Sequence, residues 1–320
     1  MAKPPVLFLI FNRPDTTASV FEAIRQARPP RLYIAADGVR EGRNGEAENC
    51  AEARRIATQI DWPCELKTLF RDKNLGCKRA VSGALDWFFE EEPEGIVLED
   101  DIVPLPSFFA YCEALLDRYR DDEKVMMING GNLISHRYQA PESYFFSVYA
   151  HVWGWASWRR AWRHFDVTMA DWPEVKGRDT IPAVALGSRT AWRDKWYGLF
   201  DAVQAGQIDT WDYQWSYALF KRGGVAATPC VNLTRNIGFG AEATHTVNGV
   251  PSYVRNAVTT DLSFPLRHPT LILRNKEADR LDELHVFRLA LPYRLAKAAL
   301  LAMPRIIREF VDGLRRVRLG

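Results

Sequence analysis

The chain has 320 residues, of which 47% are apolar and 26% charged, with a formal net charge of +2. These values describe an ordinary globular protein and exclude intrinsic disorder. The near-neutral balance argues against a dedicated nucleic-acid binder, which needs a concentrated basic face.

Met1-Ala2-Lys3-Pro4-Pro5 leads straight into the apolar run 6–11, too short for a signal sequence and readable as a first core strand. No apolar run approaches the ~20 residues that span a bilayer. Further apolar runs follow at 32–36, 66–70, 96–98 and 125–128. Between them the stretches 16–26, 46–60, 78–91 and 107–119 carry apolar residues at helical spacing, for example Ala80, Ala84, Leu85 and Phe88. This alternation predicts an α/β, Rossmann-like fold with a doubly wound, mostly parallel sheet.

In such sheets ligands bind beyond the carboxyl ends of the strands, so the residues there are the candidates for function. Asn12-Arg13-Pro14 follows the first strand, Asp37-Gly38 the second and Glu99-Asp100-Asp101 the fourth. An arginine at such a loop can meet a diphosphate, an aspartate can accept a hydrogen bond from a base or ribose, and grouped carboxylates suit a divalent cation with its phosphate. Each is also an ordinary turn or a solvated acidic loop when taken alone. Their common edge of the sheet favours the functional reading.

After about residue 130 the strand signals weaken, and nine of the eleven tryptophans fall between Trp153 and Trp215. Indole faces stack on sugars, which makes Trp153, Trp155 and Trp211 candidates for acceptor or sugar stacking, with simple core packing as the alternative. The five cysteines are scattered without a CxxC pair. Neither a disulfide framework nor a zinc site is indicated, and a reducing cytoplasm fits best.

Three further segments complete a pattern: Asp72-Lys73-Asn74-Leu75-Gly76-Cys77-Lys78, Trp211-Asp212-Tyr213-Gln214-Trp215, and Asn236-Ile237-Gly238-Phe239-Gly240 with Thr244-His245-Thr246. Together with Leu98-Glu99-Asp100-Asp101 and the Trp153–Arg160 stretch, in that order along the chain, they resemble the GT-A nucleotide-sugar glycosyltransferases. The chain is similar to the type I β-1,2-N-acetylglucosaminyltransferases of N-glycan branching and to a bacterial group found with cell-surface polysaccharide genes. The likeness runs from residue 6 to about 246. It implies a nucleotide-sugar-binding half over 1–130, and an acceptor-binding and catalytic-base half of the same domain over 131–285. Asp101 is then the direct ligand of Mn²⁺ or Mg²⁺, and Asp100 supports the ribose or the waters of the metal. Arg13, Asp37, Lys78 and Glu99 belong to the nucleotide-sugar group, and Asp212 is the catalytic base. His245 contacts phosphate or acceptor, or caps its loop. The stretch 234–248, with Gly238 and Gly240, has the small residues of a hinged lid.

The implied reaction is a single displacement with inversion, from a UDP-sugar to a hydroxyl of a glycan or lipid-linked saccharide in surface-polysaccharide synthesis. A sugar-nucleotide nucleotidyltransferase is the competing enzyme class, but residues 12–15 lack the Gly-rich basic loop expected of it. A non-catalytic nucleotide-binding scaffold is the third alternative. The eukaryotic relatives carry an N-terminal membrane anchor that is not expected here.

Residues 286–320 read as a basic amphipathic tail, divided by Pro292 and Pro304 into short helices. From Arg288 onward the local charge is +6, leaving −4 for the rest. An apolar stripe flanked by arginines suits either an anionic membrane surface, at about 1 kcal/mol per basic group, or packing on the protein. A peripheral place on the inner face of the cytoplasmic membrane would follow from the first. The expected outcome is sedimentation with anionic liposomes at low salt, weakened when Arg315, Arg316 and Arg318 are changed to Ser. Equal binding to neutral and anionic vesicles, or to neither, would leave only the packed helix.

Overall fold

A computed structural model describes residues 3–181, 184, 186, 189–239 and 251–289. His245 and the tail from residue 290 onward therefore lie outside the described residues. The first half alternates as its apolar runs predict: β1 (Val6–Ile10), α1 (Pro14–Ala27), β2 (Arg31–Ala36), α2 (Glu46–Ala57), β3 (Glu65–Phe70), α3 (Gly76–Glu91), β4 (Glu94–Glu99), β5 (Ile102–Pro104), α4 (Pro106–Arg118) and β6 (Val125–Asn129). The second half supplies β7 (Tyr144–Ser147), β8 (Trp155–Trp158), α5 (Arg159–Trp162), α6 (Trp172–Arg178), α7 (Arg189–Gln204), α8 (Asp212–Arg222), β9 (Val225–Pro229) and β10 (Thr234–Asn236). Two short helices, α9 (Ser252–Asn256) and α10 (Lys276–Leu281), follow, and α10 continues into a π-helical turn at Asp282–Val286.

The main sheet has eight strands in the order β3-β2-β1-β4-β8-β6-β9-β7. Six run in one direction, while β8 is antiparallel to both β4 and β6, and β7 is antiparallel to β9. This is a doubly wound, mostly parallel, Rossmann-like α/β sheet. The residues after 130 insert β8 between β4 and β6 and extend the sheet with β9 and β7.

Strand β1 lies between β2 and β4, so the winding reverses there and a crevice opens beyond its carboxyl end. The apolar run of β4 is buried on both faces because alternate side chains point opposite ways. Ile96 and Leu98 join Val20, Phe21 and Ile24 of α1 and Phe108 of α4. Val97 points into the other layer, with Leu85 and Phe88 of α3 and Trp215 of α8. A small second sheet pairs β5 with β10, so that Asn236 lies opposite Ile102 just past the acidic triplet.

The tryptophan density turns out to be mainly core. Of the nine indoles between Trp153 and Trp215, eight are buried and only Trp153 is half-exposed. Trp155 is fully buried, stacked on Trp211 at 5.7 Å and flanked by Trp215 and Trp162. Trp172, Trp192 and Trp196 build a separate cluster with Phe200 and Phe220 where α6, α7 and α8 meet. Among the described residues no helix is long and apolar enough to cross a membrane.

This placement separates two tryptophans that are only two positions apart in sequence. Trp155→Ala should lower stability by about 3–5 kcal/mol, the usual cost of truncating a buried aromatic. Trp153→Ala should cost about 1 kcal/mol or less. Equal losses in urea unfolding would contradict the assignment of Trp155 to the core and Trp153 to the surface.

Candidate active site

Strand β1 ends at Ile10, and the chain leaves the sheet through Phe11, Asn12 and Arg13 before α1 begins at Pro14, a residue whose missing N–H is harmless in a first helical turn. Strand β4 ends beside it at Glu99, paired across from Leu9. The Phe11 N–H donates to Asp100 Oδ2 at 3.0 Å, which ties the two strand exits together. Arg13 Nη2 then reaches Asp101 Oδ2 at 2.7 Å and lies 3.6 Å from Asp100 Oδ1.

The β10 segment closes against this group from the other side. The Ile237 N–H donates to the Asp101 carbonyl at 2.8 Å, and Arg13 Nη1 donates to the Gly238 carbonyl at 3.4 Å. A Cβ at position 238 would stand 2.0 Å from Asp101 Oδ2 and 2.9 Å from Arg13 Nη1. Only glycine lets the backbone approach a carboxylate so closely.

Four carboxylates share this edge of the sheet. Burial raises the Glu99 carboxyl well above the usual range, reinforced by the charges of Asp101, Asp100 and Asp212. Burial also pushes Asp100 up to about 7, with Arg13 opposing the rise and Asp101 adding to it. Asp212 opens α8, and its Oδ1 accepts a hydrogen bond from Thr210 Oγ1. Its effect on Glu99 places Asp212 within electrostatic reach of the triplet. Cys77 lies in the same field: burial first, then Glu99, Asp209, Asp212 and Asp37, push its thiol up to about 12.

The fit to a cation is specific in kind. Among the described residues no three His, Cys, Asp or Glu side chains converge tightly enough to cage a metal. A single carboxylate such as Asp101, once released from Arg13, suits a hard ion whose other ligands are phosphate and water.

Asp37 and Lys78 stand at the amino end of α3. Asp37 accepts hydrogen bonds from the backbone N–H groups of Gly38, Leu75 and Gly76 at 2.9–3.1 Å, so its carboxylate organises the loop that enters the helix. The Lys78 N–H donates to Asp209 Oδ1 at 3.2 Å. Gly76 sits at a φ of +78°, which favours glycine, and a Cβ added there would stand 2.7 Å from Asp209 Oδ2. Asp209 escapes a reading of the sequence because a cap donated from 131 residues away leaves no local pattern.

Trp155 and Trp211 require a correction: both are buried in the indole cluster under α8 and have no face to offer a sugar. Trp153 does have one. It meets Phe239 edge-on at 6.0 Å and lines a cavity of about 420 Å³ together with Arg235, Asn236, Ile237 and Arg255. Phe239 belongs to the glycine-containing segment 236–240, whereas neither arginine stands out by sequence spacing. A smaller cavity of about 250 Å³, lined by Lys3, Val6 and Ile96 among others, lies at the opposite edge of the sheet, away from the carboxylates.

No family model matches the chain, and no curated protein matches it. Among solved structures it is similar to HddC from Yersinia pseudotuberculosis, at 8% identity over 49% of this chain and 77% of that one, with a TM-score of 0.30. It is similar also to the glycosyltransferase GlyE of Streptococcus pneumoniae TIGR4, at 11% identity over 71% and 45% of the two chains and a TM-score of 0.30. Mouse xyloside xylosyltransferase 1 is a third, at 9% identity over 68% and 80% and a TM-score of 0.30. Likeness this distant says nothing about activity, so the site stands on its own geometry.

The buried Asp100 carboxyl gives the fold a pH signature. Between an unfolded value of roughly 3.9 and about 7, the native protein holds a proton that the unfolded chain has released. Stability therefore falls as pH rises through that window, by up to roughly 4 kcal/mol once the group is ionised. Asp100→Asn keeps an acceptor for the Phe11 N–H and removes the charge. In metal-free buffer its advantage over wild type should grow from pH 4 to 7 and level off above. Parallel stability curves for the two proteins would show that Asp100 carries no such strain.

Proposed function

We propose that this chain is a metal-dependent inverting glycosyltransferase, moving a sugar from a nucleotide-diphosphate donor, with UDP the favoured nucleotide, to a hydroxyl of a saccharide or lipid-linked saccharide. The observation that carries the reading is the meeting of Arg13, Asp101 and Gly238 at the winding reversal, with Asp212 in electrostatic reach. The resemblance read from the sequence assigns the same residues to donor, metal and base.

In this reading Arg13 turns its guanidinium from Asp101 towards the diphosphate, where its fork matches phosphate oxygens. Asp101 holds Mn²⁺ or Mg²⁺, which when bound offsets the charge that gathers on the departing diphosphate. Asp100 keeps the two strand exits in register. Asp37 and Asp209 fix the start of α3, so that Lys78 on its first turn faces the donor side. Asp212 takes the acceptor proton as the hydroxyl attacks the anomeric carbon from the face opposite the leaving group. The Thr210 hydroxyl orients that carboxylate, and the indoles of Trp155, Trp211 and Trp215 give α8 a rigid base. Trp153 supplies the stacking face for a sugar. A role in bacterial surface-polysaccharide synthesis and a peripheral place on the inner membrane face belong to the same proposal.

Two substitutions separate the metal from the base, assayed by consumption of a panel of UDP-, GDP- and dTDP-sugars with and without Mn²⁺. Asp101→Ala should abolish Mn²⁺-dependent nucleotide binding in calorimetry while the far-UV spectrum is kept. Asp212→Asn should hold nucleotide affinity near wild type and lower turnover by ~10²–10⁴-fold. Unchanged turnover in Asp212→Asn, or product with the donor's anomeric configuration, would overturn the mechanism.

A further inference from the structure

Charge is divided sharply across the segment 236–239. On the Asp101 side four carboxylates, Glu99, Asp100, Asp101 and Asp212, share the neighbourhood with Arg13. The 420 Å³ cavity that shares Asn236 and Ile237 as its wall has the opposite character. Among the described residues its lining includes Arg235 and Arg255 and no acidic residue. Both arginines are exposed, and among the described residues neither makes an ion pair. The remaining wall is a mixture of apolar groups and neutral amides and hydroxyls, with the rings of Trp153 and Phe239 set edge to face at 78°.

Each half of this lining selects for something. An indole offers its face to the apolar side of a sugar ring, and the cavity lies within the size range that holds a small ligand. Guanidinium groups bind carboxylate or phosphate through paired N–H donors, and they are weakly hydrated enough to do so at the mouth of an apolar pocket. A neutral saccharide would use the ring and leave the two arginines unanswered. A bare anion would use the arginines and leave the aromatic wall unanswered. A saccharide carrying a negative group uses both.

The donor diphosphate does not account for these arginines in the proposed geometry, because its charge is met by Arg13 and by the cation on Asp101. Resting on the glycosyltransferase reading, we propose that the acceptor is an anionic saccharide, bearing a carboxylate or a phosphate, seated on Trp153 and Phe239 with its charge held by Arg235 and Arg255. The hydroxyl to be glycosylated would then come from a ligand lying against the segment that carries Gly238, next to Asp101.

The test is equilibrium binding to the full chain saturated with UDP and Mn²⁺, followed by tryptophan fluorescence and calorimetry. Methyl glucuronide is compared with methyl glucoside, and glucose 1-phosphate with glucose, so that the carboxylate and phosphate arms are read separately. The charged member of at least one pair should bind tenfold or more tightly than its neutral partner. In Arg235→Gln/Arg255→Gln that ratio should fall below twofold, with UDP–Mn²⁺ affinity changed by less than twofold, and Lys at both positions should restore part of the preference. Trp153→Phe should remove most of the fluorescence change. Equal affinity for charged and neutral sugars, or binding of neither, overturns the inference. Loss of UDP–Mn²⁺ affinity in the double variant also overturns it, because the arginines would then serve the donor. Failure of the glycosyltransferase reading has a different signature: wild type would bind no nucleotide with Mn²⁺, whatever the saccharide titrations show.

Discussion

The ligand edge of the sheet depends on one contact, the hydrogen bond from the Phe11 N–H to the buried Asp100 carboxylate. It crosses between neighbouring strand exits at the winding reversal, where no ladder hydrogen bond continues. With that bridge in place, Arg13 is carried over Asp101, and the Asp101 carbonyl is left to accept the Ile237 N–H. Three distant segments, around residues 11–13, 99–101 and 236–238, are thus held by a chain of contacts that begins at one carboxylate. Burying that carboxylate beside two others opposes folding, and Arg13 offsets the cost only in part, since Asp100 still sits at about 7. Strain held at one edge of an otherwise well-packed sheet is the kind of local inconsistency that marks a functional site.

The surroundings are stiff enough to keep that strain in place. Beneath the crevice, β4 is buried on both faces, and the indoles of Trp155, Trp162, Trp211 and Trp215 fill the space between β8, α5 and α8. Close-packed aromatic cores have few alternative arrangements, so packing fixes the start of α8, and the Thr210 hydroxyl then holds the Asp212 carboxylate. The start of α3 is fixed differently, by carboxylates of Asp37 and Asp209 that come from separate parts of the chain.

Legibility in the sequence followed the range of the forces involved. The first five strands of the parallel sheet and their helices were readable, because buried parallel strands are short continuous apolar runs and their helices keep a 3.6-residue period. The strand-end residues Arg13, Asp100 and Asp101 were readable for the same reason: once the strands are placed, the residues that follow them share an edge. The antiparallel insertion of β8 was not. Its Trp-Ala-Ser-Trp sequence owes its place to pairing with β4 and β6, which lie far away in the chain. Indole density was likewise ambiguous, since composition cannot tell a stacking face from a core. Trp153 and Trp155 are separated by Gly154, whose φ of +67° turns the chain just before β8, so only Trp155 is paired in the sheet. Asp209 and Arg255 reached the site through tertiary placement alone.

The absence of a three-ligand cage among the described residues shapes what the site can do. A lone carboxylate, already paired with Arg13, offers a divalent cation little affinity by itself. Under the proposed chemistry the diphosphate supplies the missing oxygens and at the same time gives Arg13 a second partner, which frees Asp101. Cation and nucleotide then each raise the other's affinity by the same factor, as linkage requires. Gly238 is where the two meet, because its carbonyl accepts from Arg13 while its missing side chain leaves room beside Asp101. Were Arg13 to turn to the diphosphate as proposed, its hydrogen bond to Gly238 would break, and the backbone just after β10 would register the donor directly. The aromatic and basic cavity is built on that same backbone, through Asn236, Ile237 and Phe239. Under the proposal, occupancy of the donor side would be transmitted to the cavity through this short stretch of main chain, without any movement of the sheet beneath.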